Sequence, residues 1–67
     1  FERLRAWRSA EAKAQSVPPY VIFHDSVLRD IAASRPAGLE ALGAVKGVGA
    51  SKLMRYGPAV LEALAGR

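Results

Sequence analysis

The residues able to do covalent chemistry are few. His24 is the sole histidine and cysteine is absent, so no Ser-His-Asp, Cys-His or zinc constellation can be assembled. The six acidic residues are scattered along the chain, whereas metal-assisted phosphodiester cleavage needs carboxylates clustered around a metal pair. Asp25 and Asp30 fall on different faces of a helix and read as a cap and a solvated charge, since acids concentrate near helix starts. Gly47-Val48-Gly49-Ala50-Ser51-Lys52 superficially suggests a phosphate loop. It lacks the Gly-Lys-Ser/Thr of a Walker A loop, and Lys52 stands where a dinucleotide fingerprint needs its third glycine. No catalytic residue, metal ligand or cofactor is expected.

What remains is basic. Ten Lys and Arg against six Asp and Glu give a net charge of +4 and a pI near 10.1, which suits a polyanionic partner. Plain solubility accounts for the same excess. Lys46, Lys52 and Arg55 flank the glycine turn. Gly47 and Gly49 let the backbone turn sharply and approach a partner, with the next helix N-terminus facing a phosphate oxygen. Equally, they permit a tight turn while Val48 plugs the core. Arg3, Arg5 and Arg8 form a second basic strip, although Arg8 can instead lay its stem along the core or pair with an acid.

These groups must be positioned by helices. A chain of 67 residues is one domain and buries only about 60% of its unfolded surface. Without disulfides its stability rests on apolar packing, and the 51% hydrophobic content is rich in alanine, which favours helix. Phe1, Leu4, Trp7, Ala10 and Ala14 recur at helical spacing and predict a first helix to about residue 16. Pro18 and Pro19 stop it and leave an extended connector, with room for a turn of helix near Tyr20. A second helix begins at His24-Asp25, capped by Asp25, and ends at Pro36. A short third carries Leu39 and Leu42 inward after Gly38. The fourth is predicted over Ala50 to Tyr56, closed by Gly57 in the left-handed conformation. Pro58 then opens a fifth helix that buries Val60, Leu61 and Leu64. Trp7, Phe23 and Tyr56 are the aromatic core candidates. No apolar run approaches the roughly 20 residues of a membrane span.

Three stretches together carry a family resemblance. They are Leu4-Arg5-Ala6-Trp7-Arg8, then Val17-Pro18-Pro19-Tyr20-Val21-Ile22-Phe23-His24-Asp25-Ser26-Val27-Leu28, then Val45-Lys46-Gly47-Val48-Gly49 running into Lys52-Leu53-Met54-Arg55-Tyr56-Gly57. Their order and spacing resemble the HRDC domain, the helicase and RNase D C-terminal module, over nearly the whole chain. The resemblance implies an all-α, compact five-helix bundle with a helix-hairpin-helix-like glycine turn. It also implies an auxiliary role beside a bacterial RecQ-type or UvrD-like ATP-dependent DNA helicase, with catalysis in other domains. In DNA-binding members the aromatic after the proline pair lies beside a basic surface, which makes Tyr20 a stacking candidate worth about 1–3 kcal/mol per base; the alternative is that Tyr20 packs against the first helix with its hydroxyl at the surface.

The expected function is weak, structure-dependent binding of single-stranded or partly single-stranded (branched) DNA. The residues expected to carry it are Tyr20, Lys46, Gly47, Gly49, Lys52, Arg55 and Arg8. The alternative is a module that docks on the helicase core of the same protein and regulates it without touching DNA, with Asp30 and Glu40 as contributors. A third class, a catalytic exonuclease fragment, is set aside for want of clustered carboxylates. Because the sequence begins at Phe1, residues 1–67 are read as a single domain excised from a larger protein. It is expected to be monomeric, cytoplasmic and nucleoid-associated.

Overall fold

A computed structural model describes residues 1–66 and contains α-helices α1 (Glu2–Gln15), α2 (Pro19–Ile22), α3 (Asp25–Ser34), α4 (Leu39–Gly43) and α5 (Ala50–Ala65). There is no strand among the described residues, in agreement with the all-α reading. No helix among them is long and apolar enough to cross a membrane. Helix α1 is central to the packing: α2, α3 and α5 all lie against it, and α4 packs on α5.

The buried face of α1 is rotated from the stripe read in the sequence. Leu4, Arg8 and Ala12 are buried, with Trp7, Glu11 and Gln15 half-buried beside them. Ala10 and Ala14 face solvent, and Phe1 stays 41% exposed. The apolar periodicity misled because alanine is indifferent to burial, while a buried arginine occupies the middle of the true stripe. Ser16 closes α1 in the left-handed conformation, φ 57°. The amide of Val17 donates to the carbonyl of Ala12 at 3.0 Å, a pattern that satisfies otherwise unpaired carbonyls at a helix end.

The expected turn of helix near Tyr20 is present as α2. Its N-cap is Pro18 and Pro19 opens its first turn, where the missing N–H costs nothing. Asp25 is the first residue of α3 rather than its cap; His24 holds the cap position. Helix α3 ends at Arg35, φ 46°, just before Pro36.

The larger correction concerns α5. The two helices expected on either side of Gly57-Pro58 are one continuous helix, with Pro58 inside it. Gly57 is there for close packing instead of termination. A Cβ on it would fall 2.6 Å from Leu39 Cδ2 and 3.4 Å from Leu53 Cδ1. Absence of a side chain therefore lets α4 approach α5, and this packing outweighs the loss of one backbone donor at Pro58. Leu39, expected inward, is 47% exposed overall yet makes this contact with its tip. The count of five helices survives because α2 replaces the lost division.

The core comprises Leu4, Ala12, Ile22, Phe23, Leu28, Ile31, Leu42, Val48, Tyr56 and Val60. Val48 plugs it from the glycine turn, as expected. Phe23 and Tyr56 are buried and Trp7 is half-buried. Trp7 meets Tyr56 edge-on, with ring centroids 5.5 Å apart, and Phe23 lies 6.1 Å from Trp7 and 6.0 Å from Tyr56. Such tilted and edge-on pairs set the positive rim of one ring against the negative face of another.

Candidate nucleic-acid interface

Helix α2 is too short to hold itself. A four-residue helix closes one turn, and its last carbonyls point out of the helix with no amide to meet them. Two cations from neighbouring helices close this gap. Lys52 Nζ donates to the carbonyls of Ile22 at 2.7 Å and Val21 at 3.3 Å. Arg8 Nη1 donates to the carbonyl of Phe23 at 2.9 Å. Three consecutive carbonyls are thus tied to α5 and α1 by charge-assisted bonds, which are roughly twice as strong as neutral ones. Lys52 also sits 5.2 Å from the centre of the Phe23 ring.

This bracing presents Tyr20 at the edge of the molecule, 59% exposed, with Val21 beside it at 45%. The Tyr20 ring lies near-parallel to that of His24, with centroids 6.0 Å apart and planes inclined by 25°. One turn along α5 from Lys52, Arg55 packs over the Tyr56 ring at 5.4 Å and donates to Gln15 Oε1 at 3.4 Å. Gln15 in turn donates to the Tyr56 hydroxyl and to Glu11, both at 2.8 Å.

Lys52 meets the backbone of α2 at Val21 and Ile22, the residues after Tyr20, and Arg55 meets Gln15 at the end of α1. The other expected residues are placed differently. Lys46 is exposed and lines a cleft of about 540 Å³ between α3 and α4, with Asp30, Ser34, Ala41 and Val45 among the other walls. Gly47 has φ +95°, and a Cβ on it would lie 2.6 Å from Val27 Cγ2, so glycine there serves the turn. Gly49 caps α5 in an extended conformation and has open space around its Cα. Its position at a helix N-terminus leaves first-turn amides free to face an anion.

Arg8 is turned inward, and this corrects its placement among the surface contacts. It is 7% exposed, with Nη1 at 2.7 Å from Asp25 Oδ1. Its hydrogen bond and charge hold the Asp25 carboxyl below the usual carboxylate range, and Arg29 and Arg5 add smaller attractions. Of the two alternatives read for Arg8, the structure takes the second: stem along the core and head on an acid.

Residues 1–64 match the family described as HRDC domain. The chain belongs to the HRDC family. Among its relatives, ATP-dependent DNA helicase UvrD2 of Mycobacterium tuberculosis (strain ATCC 25618 / H37Rv) is 46% identical over 65 residues, covering 97% of this chain. ATP-dependent DNA helicase RecQ of Bacillus subtilis (strain 168) is 40% identical over 62 residues, covering 92%. RecQ of Haemophilus influenzae is 37% identical over 57 residues, covering 85%. The chain spans only 9%, 10% and 9% of these three relatives respectively. No solved structure matches it significantly.

The HRDC domain carries a second cationic cluster that the sequence reading saw only in part. Around Phe1 lie Arg5 and Arg29, their guanidinium carbons 5.8 and 5.7 Å from the ring centre. Arg3 and Arg35 line the adjoining cleft with Glu2 and Leu4. Arg3 and Arg5 belong to the strip expected from α1. Arg29 and Arg35 were missed, because nothing in their spacing announces that α3 lies alongside the start of α1. No group of three or more potential metal ligands occurs among the described residues.

Proposed function

We propose that this HRDC domain is a non-catalytic accessory module of a cytoplasmic bacterial ATP-dependent DNA helicase. On this reading it is one domain of a longer chain, works as a monomer without a cofactor, and holds single-stranded or partly single-stranded DNA. The observation that carries the reading is the exposed Tyr20 on a helix braced by Lys52. A base stacks on the tyrosine, Arg55 and the amides after Gly49 lie near phosphates, and Lys52 adds its charge to them while bonded to the α2 carbonyls. Phosphate contacts position a strand without reading its bases, so discrimination comes from strand flexibility and shape. The UvrD2 and RecQ relatives are named as DNA helicases, which supports a DNA substrate for the parent protein.

An NMR titration of the labelled domain with a short thymidine oligomer, at low and moderate salt, tests this. Salt-sensitive shifts at Tyr20 and from Gly49 to Arg55 are expected. Contact with two phosphates gives a log K against log salt slope of about −1.4, and three give about −2. The steeper slope counts Lys46 in, and the shallower leaves it out. Complete absence of shifts at low salt from a folded domain would sink the proposal.

One observation favours docking as the second reading. The cleft between α3 and α4 presents Ala33, Pro36, Ala41, Ala44 and Val45, and Asp30 and Lys46 bring both charge signs to its wall. A helicase core seated there would broaden Lys46 and Ala41 resonances in the joined protein while leaving Tyr20 unmoved.

A further inference from the structure

Tyr20 is held at its backbone, but its ring is largely in solvent. An exposed ring samples several rotamers, and a ligand that stacks on it must first immobilise it. One side chain limits that freedom. His24 lies near-parallel to the Tyr20 ring at 6.0 Å, and the segment between them is tied by its carbonyls to Lys52 and Arg8.

The position of His24 supplies a way to test this contact. It is the N-cap of α3, with φ −69° and ψ 155°, and its side chain makes no capping hydrogen bond. Ser, Thr, Asp and Asn are preferred there because a side-chain oxygen accepts from a first-turn amide. The imidazole forgoes that stabilisation and lies against Tyr20 instead. We propose that His24 is a positioning residue: it backs one face of Tyr20 and leaves the other open to a single base. This rests on the reading of Tyr20 as the stacking residue. The bound arrangement then sets base, tyrosine and imidazole in an offset, near-parallel series, with the tyrosine–imidazole contact made beforehand.

The arrangement separates stability from binding. His24→Ser supplies a capping hydroxyl, so the melting temperature rises. Its affinity for a thymidine oligomer nonetheless falls about two- to tenfold, the cost of immobilising one exposed side chain on binding. His24→Phe keeps an aromatic ring beside Tyr20 and retains wild-type affinity. Against an abasic oligomer of equal length, His24→Ser binds as the wild type does, since phosphate contacts do not depend on the ring. In a Tyr20→Ala background the serine substitution has no further effect, the non-additivity expected of residues acting as a unit.

Fluorescence anisotropy on these variants, with melts alongside, decides the matter. If Tyr20→Ala weakens thymidine binding while His24→Ser does not, the positioning role is overturned and the stacking reading stands. Unchanged affinity in Tyr20→Ala overturns both. Equal losses on thymidine and abasic oligomers for His24→Ser would assign His24 to phosphate contact and overturn the positioning role.

Discussion

The α2 edge and the Phe1 end of the domain both pair aromatics with cations, but they engage those cations differently. At the α2 edge, Lys52 faces inward to the carbonyls of Val21 and Ile22, and the exposed ring, Tyr20, has a histidine for its neighbour. At the Phe1 end, Arg5 and Arg29 lie over the exposed ring itself. A base arriving at Phe1 must displace guanidiniums from the ring. One arriving at Tyr20 meets a braced backbone and a supported ring. The same pairing of cations with an exposed aromatic therefore describes unequal surfaces. What decides a stacking site is whether its cations fix the platform or occupy it.

The comparison is broken most forcefully at Arg8, which anchors the α2 edge from below. Arg8→Ala leaves the buried Phe23 carbonyl without its donor and Asp25 without its partner. Losing the charged donor to a buried carbonyl costs about 1.5–3 kcal/mol; the Asp25 carboxylate, 62% exposed, adds little because water replaces its partner. Arg8 Nε itself is buried and unpaired, which lowers the native contribution that the substitution removes. Urea melts of the variant measure this. A loss under about 1 kcal/mol would show that α2 holds without its anchor.

Next in size is the cation pair of the edge. Lys52→Met together with Arg55→Met is expected to weaken thymidine-oligomer binding about tenfold and to flatten the salt slope by about 1.4, the share of two single-strand phosphates. Lys52→Met alone should also destabilise the fold by about 1–2 kcal/mol, because the Ile22 carbonyl loses its partner. Salt titrations by anisotropy and paired melts separate the two effects. An unchanged slope would confine Lys52 and Arg55 to a structural role.

Charge reversal at the other end sharpens the contrast from the opposite side. Arg3 precedes Gln15 by twelve residues of α1, and Arg35 follows His24 by eleven residues of α3, roughly 16–18 Å along each helix and about two Debye lengths at physiological salt. Arg3→Glu with Arg35→Glu should therefore change thymidine-oligomer affinity by less than about threefold at that salt. A tenfold loss would move the binding face to Phe1.

How much of this the sequence could show depends on what each residue's role requires. Turn and core signals are local, so the glycine turn, the plug at Val48 and the burial of Phe23 and Tyr56 were legible. The Gly57-Pro58 pair was misread because helix-ending residues also serve close packing, and only the position of Leu39 tells the two apart. Among the candidate contacts, Tyr20 stood out through its place after the proline pair. The inward turns of Arg8 and Lys52 depend on carbonyls 15 and 30 residues distant in sequence. No periodicity encodes such partners. His24 drew attention as the lone histidine and as the start of a helix, and its ring contact required the geometry.

The smallest expected effect lies between the two regions, at Asp25. Arg8 from the α2 edge and Arg29 and Arg5 from the Phe1 end all lower its pKa. A carboxylate whose pKa is lower folded than unfolded binds more protons in the unfolded state, so stability rises with pH across that interval. The contribution is fully present above the unfolded carboxylate range and is lost as pH falls through the depressed folded value. Melts between neutral and strongly acidic pH should thus show a stability decline that Asp25→Asn removes in part. Because the carboxylate is exposed and its attractions are screened, the difference should shrink further in high salt. Arg29→Gln should narrow it without touching the Arg8 hydrogen bond. If instead Asp25→Asn leaves the acid limb of the pH profile unchanged, Asp25 couples to neither cluster, and the two regions are electrostatically independent.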